Sequence, residues 1–347
     1  MPRTTLPTLS LQAGLSSPAA RADLLQELRE TARELGFFYL ADHGVPQELI
    51  GNVLALTRQF FSLPEKDKLE IQMLNSPYFR GYNRAGLEHT RGKPDWREQV
   101  DIGPEQKALD ITAQASPWQR LIGPNQWPNA LPELRPVILE YLGAVTRLAI
   151  QITELLAEAL GQSPRVFAPI YTPAPNQLLK IIRYPGRSAT EGNQGVGAHK
   201  DSGFVTVLLQ DKVGGLQVEG PDGWIDAPPV PGTFIVNIGE LLEMASGGYL
   251  RANVHRVVSP PSDVDRLSVA FFFGAHLNST VPLLDLPAAL KAQARGVTQD
   301  PGNPLFREVA RNYLKSRLRS HPDVARRHHS DLLDEVERIS TAAGTAY

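Results

Sequence analysis

Residues 199–211 read HKDSGFVTVLLQD, with His199 and Asp201 two positions apart at the head of an apolar, β-branched run. Such a run predicts a strand. On a strand, residues i and i+2 share a face about 7 Å apart at Cα, so both side chains can converge on one ion. The pair is not unique, because His321/Asp323 and His329/Asp331 have the same spacing. His329 and Asp331 fall in the helical pattern RRHHSDLLDEVE, where i and i+2 diverge. His321-Pro322-Asp323 reads as a turn that brings Asp323 to a helix N-terminus.

Context separates the first pair from the others. The segments LLKIIRY, FVTVLLQ, GLQVEG, WIDA, TFIVNI, VHRVV and RLSVAFFFGA are short β-rich runs divided by Gly, Pro, Asp or Ser, which predicts an antiparallel sandwich or barrel. His255 lies in one of them, far enough from Asp201 for strands to run out and return. Two histidines and one carboxylate on one side of a metal form the triad that suits non-haem Fe(II) and leaves three positions open. Arg266 and Ser268 open a later strand and share a face. Guanidinium plus hydroxyl is a receptor for a carboxylate. Arg338/Ser340 repeats the spacing on a predicted terminal helix with no ligand set before it. His43, His89 and His276 read as structural.

Upstream, Ser17-Pro18 caps and opens a helix through Glu34 and Leu35 that Gly36 stops. GFFYLADHGVP follows as strand and turn, and Pro46 opens a helix that buries Ile50, Val53, Leu54, Phe60 and Phe61. Leu74 to Pro128, rich in Gly, Pro, Asn and Trp, predicts surface loops. Pro132 to Leu160 carries a long amphipathic pattern able to buttress a sheet. Beyond Pro282 the pattern is helical. We expect one compact unit: an N-terminal region 1–175 of helices and loops that does not fold apart from the core, a core 176–282, and a helical tail 283–347. Arg307, Arg311, Lys315, Arg317, Arg319, Arg326 and Arg327, with acidic residues interleaved, predict a solvated helix face.

The 347 residues carry a net charge of -2, which gives no reason to expect nucleic-acid or membrane partners. With no cysteine, disulfides, zinc-thiolate sites and iron-sulfur clusters are excluded, and any metal must use His, Asp or Glu. The segment MPRTTLPTLSLQAG lacks an apolar signal-like run and no stretch reads as membrane-spanning, so a cytoplasmic enzyme is expected.

Taken together, HKD, the downstream HRV and the RLS strand resemble the iron(II)- and 2-oxoglutarate-dependent oxygenases, in the branch typified by isopenicillin N synthase and the plant-type dioxygenases. GFFYLADHGVP, the RGY at residues 80–82 and the segment from HKD to HRV are similar to stretches of that branch, over roughly residues 5–280. The resemblance implies a mainly β core with helices: a double-stranded β-helix, or jelly roll, with an N-terminal helical region and C-terminal helices. It implies Fe(II) on His199, Asp201 and His255, the distal carboxylate of 2-oxoglutarate on Arg266 and Ser268, and Tyr184 reaching the cosubstrate. Ile182 replaces an Asn common two positions before that tyrosine, and Gly239-Glu240 replaces the usual Gly-Asp, a local structural change.

The chemistry so implied uses molecular oxygen. It couples decarboxylation of 2-oxoglutarate to succinate with hydroxylation, desaturation or cyclisation of a small-molecule substrate. Asp201 disfavours halogenation, since halogenating relatives carry a small residue there. The Arg-x-Ser pair also occurs in iron oxidases that use no 2-oxoglutarate, so that alternative stays open at this point. A non-redox cupin-like metal protein is the remaining one. Arg80, Tyr82, Arg84, Arg91 and Trp96 from the irregular segment, with Phe272 and Tyr313, are candidate substrate contacts.

Overall fold

The computed structural model describes residues 5–111, 115–188, 192–297 and 303–333. Arg338 and Ser340 lie outside them. Strand alternation organises the molecule. The β-rich runs expected after residue 175 form β7 (Asn176–Tyr184), β9 (Val205–Gln210), β10 (Leu216–Gly220), β11 (Gly223–Asp226), β12 (Phe234–Ile238), β13 (His255–Val258) and β14 (Arg266–Gly274). One more strand, β8 (Gln194–His199), precedes β9. Upstream come β1 (Thr8–Ser10), β2 (Phe37–Ala41), β3 (Gly81–Asn83), a short hairpin of β4 (His89–Thr90) and β5 (Lys93–Pro94), and β6 (Glu98–Ile102).

Two sheets face each other. The larger has the order β1-β2-β12-β9-β14-β7-β6-β3, and the smaller β11-β10-β13-β8. Between them lie Ile182, Tyr184, Ala270 and Ile235 of the large sheet and Val196, Leu216, Val218 and Val257 of the small one. Residues of opposite parity, Leu179, Ile181, Val207, Val269, Phe271 and Phe273, point outward into the main core. There they meet α3 (Gln47–Ser62) and α5 (Leu134–Ala159). The helix α2 (Pro18–Glu34), capped as predicted by Ser17 Oγ accepting from Ala20 N at 3.1 Å, packs on α5. Shorter helices α1 (Leu11–Gly14), α4 (Glu65–Leu69), α6 (Glu240–Ala245) and α7 (Ala288–Lys291) fill the corners, and α8 (Val309–Ser320) and α9 (Pro322–His328) form the tail.

Three expectations need correction. His199 and Asp201 do not share a strand with FVTVLLQ: β8 ends at His199, β9 begins at Val205 in the other sheet, and Asp201 sits in the crossing. The strand QGVGAH has two glycines and little β-branching, so it carries a weak strand signal. Residues 74–128 are not all surface loop, since β6 is buried along its length and joins the large sheet. Its pattern EQVDI hides the strand because Glu98 and Asp101 are buried in ion pairs with Lys68 and Arg317. Finally, Lys315 and Arg317 are buried rather than solvated, whereas Arg307, Arg311, Arg319, Arg326 and Arg327 are exposed.

Candidate metal centre and cosubstrate pocket

The crossing between the sheets brings the candidate ligands together. His255 opens β13 directly opposite His199 at the end of β8, so the two rings are cross-strand neighbours with centroids 4.3 Å apart. The main chain of the crossing is tied on both sides: Phe204 N donates to Phe273 O at 2.8 Å, and Glu240 N donates to Asp201 O at 2.8 Å. Asp201 Oδ1 consequently lies 3.6 Å from His199 Nε2 and 3.7 Å from His255 Nε2. One ligand atom from each of the three residues lies within 4.8 Å of the others.

Neighbouring groups orient all three side chains. His199 Nδ1 is 2.7 Å from Gly197 O and His255 Nδ1 is 3.2 Å from Asn253 O. A carbonyl only accepts, so Nδ1 carries the proton and each Nε2 presents its lone pair inward. Asp201 Oδ2 accepts from Thr206 Oγ1 at 2.6 Å and Asn237 Nδ2 at 2.8 Å, which leaves Oδ1 to face the imidazoles. Burial disfavours the Asp201 carboxylate, yet the charges of His255 and His199 and the bonds from His199 and Thr206 outweigh it and hold its pKa well below the usual range. Burial and then the His199 charge push His255 down to about 4. For His199, burial is overcome by the Asp201 hydrogen bond and charge, and its pKa rises. A divalent ion binds an anionic carboxylate and lone-pair imidazoles, so a metal entering here would displace the proton that Asp201 favours on His199.

The second cluster lies deeper between the sheets. Arg266, Tyr184 and Gln210 meet where β14 pairs with β7 and β9: Arg266 stands opposite Tyr184, and Ser268 opposite Ile182 and Gln210. Arg266 is 0% exposed. Its Nη2 donates to Gln210 Oε1 at 2.8 Å, and its guanidinium carbon lies 4.8 Å over the Tyr184 ring. Arg266 Nε and Nη1 and Ser268 Oγ are buried with no hydrogen-bond partner. Buried unpaired donors are costly, and an anion supplying acceptors could satisfy all three.

The candidate substrate contacts divide. Phe272 lies on the interior row of β14 opposite Thr206. Arg80 and Tyr313 come together beneath α8, where the Arg80 charge bears on the Tyr313 hydroxyl. Tyr82 points to the other face and donates to Glu98 Oε2 at 2.5 Å. Arg84 pairs with Glu65 at the surface, Arg91 is exposed between β4 and β5, and Trp96 stacks under Arg187 at 4.3 Å. Of the three histidines read as structural, His43 Nδ1 accepts from Val45 N and His276 Nδ1 from Asn278 N, while His89 Nδ1 lies beside Leu87 O. Sequence reasoning passed over Gln210, Thr206, Asn237 and Arg97. Arg97 Nη2 donates to Glu88 Oε2 at 2.7 Å, its side chain also reaches Tyr184, and its charge acts on His199. Only the alternation of strands already placed could have found the first three, and Arg97 belongs to the disguised strand region.

Comparison with known proteins agrees with this geometry. Residues 175–275 match the 2OG-Fe(II) oxygenase superfamily model, and residues 6–130 match the model for the non-haem dioxygenase in morphine synthesis N-terminal region. The chain is 37% identical over 344 residues to the 2-oxoglutarate-dependent dioxygenase frbJ of Dothideomycetidae sp. (strain 11243), covering 92% of this chain and 90% of that protein. It is 37% identical over 271 residues to a homoarginine-6-hydroxylase of Glycine max, with 76% of this chain and 81% of that protein covered. Among solved structures it is similar to the dioxygenase for auxin oxidation of rice, with TM-score 0.66, 26% identity and coverage of 92% and 99%. It is also similar to JOX2 solved with 2OG, Fe and JA, with TM-score 0.66, 28% identity and coverage of 81% and 78%. Two sheets enclosing a His-Asp-His cluster and a buried arginine and serine, on a sequence that aligns with such enzymes over nearly its whole length, make this chain a member of the iron(II)- and 2-oxoglutarate-dependent oxygenase superfamily.

Proposed function

We propose that His199, Asp201 and His255 hold the ferrous ion, that Arg266 and Ser268 grip the distal carboxylate of 2-oxoglutarate with Tyr184 against it, and that the reaction inserts oxygen into, desaturates or cyclises a small organic substrate. The convergence of three ligand atoms within 4.8 Å carries the reading. The donor set fits: two imidazole nitrogens and one carboxylate oxygen on one side suit non-haem iron and leave room for the cosubstrate. Bound there, the iron supplies activation of oxygen against the 2-oxo acid.

The chain's own residues do the rest. Gly197 and Asn253 carbonyls fix which imidazole nitrogen is free. Thr206 and Asn237 hold the carboxylate by one oxygen so that the other faces the metal position. Arg266 and Ser268 offer three unpaired donor groups to a carboxylate, and Gln210, a neutral amide, orients the guanidinium without cancelling its charge. Ile182, Val196, Leu216, Val218 and Ile235 line the space between the sheets and exclude water. A small-molecule substrate and a cytoplasmic setting, without nucleic-acid or membrane partners, complete the proposal. They are supported by the net charge of -2 and by the finding that no helix among the described residues is long and apolar enough to cross a membrane.

The test is spectroscopic and chemical. Adding 2-oxoglutarate anaerobically to the Fe(II)-loaded protein should produce a visible metal-to-ligand charge-transfer band, and air should then release succinate. Product formed with oxygen but no 2-oxoglutarate would point instead to an oxidase.

A further inference from the structure

Three arginines of the described residues are buried: Arg80, Arg266 and Arg317. Arg317 Nη1 donates to Asp101 Oδ2 at 2.7 Å. The other two have no carboxylate partner among the described residues, and they share an unusual set of features. In each, Nε and Nη1 are shielded from water without a hydrogen-bond partner, and in each a buried hydroxyl accompanies the guanidinium: Ser268 Oγ for Arg266, and for Arg80 the Tyr313 OH with which it interacts. Arg80 is 4% exposed. A guanidinium is always charged, and removing it from water without an anion is unfavourable.

Charge accounting makes the same point. On the interior wall formed by β6, β7 and the segment before β6, Arg97 pairs with Glu88 and Asp95, Lys180 with Glu88 and Asp101, and Arg317 with Asp101. Three cations face three carboxylates, and Arg80 is surplus. It lies where α8 closes over β3 and β6. A Cβ on Gly103 would come within 2.1 Å of Arg80 Nη2, so the guanidinium rests flat on bare backbone at the end of β6. The Arg80 and Arg317 charges both bear on Tyr313 and lower its pKa against the opposing effect of burial, while Arg317 Nε remains unpartnered. This end of β6 is level with the metal position: Ile102 stands opposite Leu179 of β7, and the adjacent Leu178 stands opposite Phe272, which faces Thr206, the residue that steadies Asp201.

We infer that Arg80, Tyr313 and the free edge of Arg317 form a second carboxylate-type receptor, that it takes the anionic end of the primary substrate, and that the substrate is therefore a small carboxylic or phosphoryl acid. The inference rests on the site assignment above, in which Arg266 is already committed to 2-oxoglutarate.

The experiment uses the Fe(II)- and 2-oxoglutarate-loaded protein under anaerobic conditions, with inorganic sulfate as probe and thermal stability as readout. Sulfate should raise Tm saturably in the wild type and in Arg84→Ala, which alters only an exposed ion pair, with at least a tenfold weaker response in Arg80→Met. Tyr313→Phe, which removes one oxygen and keeps the ring, should respond in the same direction and stands in if Arg80→Met does not fold. A sulfate response absent from the wild type, or undiminished in both Arg80→Met and Tyr313→Phe, overturns the receptor. In a second arm, small acids and their methyl esters are compared as triggers of succinate release in air. Acids should exceed esters at least tenfold in kcat/KM, and Arg80→Met should erase that preference through KM. Esters that work as well as acids would show that the receptor serves a free anion and would overturn the substrate class. Absence of the charge-transfer band in the wild type would sink the site assignment while leaving the sulfate result intact, so the two failures are distinguishable.

Discussion

The two faces of the large sheet are built from the same strands and do opposite work. Outward, Leu179, Ile181, Val207, Phe271 and Phe273 press on α3 and α5 in a dry apolar layer. Inward, the alternate residues of those strands include Arg266, Ser268, Lys180 and Thr206, all buried and polar. One residue of register therefore separates stability from chemistry. The outward face can be explained by burial alone. Burial alone does not explain the inward face, because Arg266 Nε and Nη1 and Ser268 Oγ have no hydrogen-bond partner within the protein.

The largest effects should separate the faces outright. Asp201→Ala should abolish iron-dependent succinate formation and bound iron while leaving a folded protein. Phe271→Ala, at a fully buried outward position, should cost about 3–5 kcal/mol in denaturant melts and leave iron content per folded molecule unchanged. If Asp201→Ala unfolds the protein as severely as Phe271→Ala, the division of labour is wrong. Next, Arg266→Met should raise the 2-oxoglutarate requirement by roughly ten- to a hundredfold, since a desolvated carboxylate loses charge-assisted bonds worth about 1.5–3 kcal/mol. An unchanged requirement would assign Arg266 to something else.

A smaller effect concerns pH. His321 is wholly buried near Glu88 and accepts from Asn83 Nδ2 at Nδ1, 3.0 Å away. Burial pushes its pKa down to about 4, against the pull of Glu88. Unfolding raises that pKa to its ordinary value, so the unfolded chain binds the extra proton. Stability is full above about pH 6.5 and is lost as pH falls towards 4. Glu88, held well below its usual range despite burial by Arg97 and Lys180, adds a loss of the same sign at lower pH. Acid titration of metal-free protein should show this slope, and His321→Gln should flatten its upper part. The smallest effect should come from Arg84→Ala, which breaks a solvent-exposed pair with Glu65. We expect under about 1 kcal/mol and unchanged succinate formation, so any loss of activity would bring Arg84 back as a substrate contact.

What could be read from sequence follows the same division. FVTVLLQ and RLSVAFFFGA announce strands because both faces are buried and β-branched or aromatic residues run through them. The candidate ligands could be picked out because His199 and His255 stand at strand ends, Arg266 and Ser268 open a later strand, and with Asp201 they follow a family-like order. Three features were masked. QGVGAH gives a glycine-rich strand no propensity signal. EQVDI looks like surface while its charges are paired inside. Lys315 and Arg317 sit in a basic run that resembles a solvated helix until Asp101, more than two hundred residues earlier, is folded against it. Pairings across such separations leave no local pattern.

The crossing at residues 199–205 has a mechanical consequence. His199 and His255 belong to the small sheet, whereas the oxygen of Asp201 is steadied by Thr206 and Asn237 of the large one. An ion held by all three would rivet the sheets across their seam. The crossing is seated on the large sheet by backbone alone: a Cβ on Gly203 would come within 2.7 Å of Phe273 O, and one on Gly239 within 2.2 Å of Gly203 O. Side chains cannot be added there without lifting the crossing, and Asp201 with it, off that sheet. Loading the metal is thus also a way of latching the barrel shut.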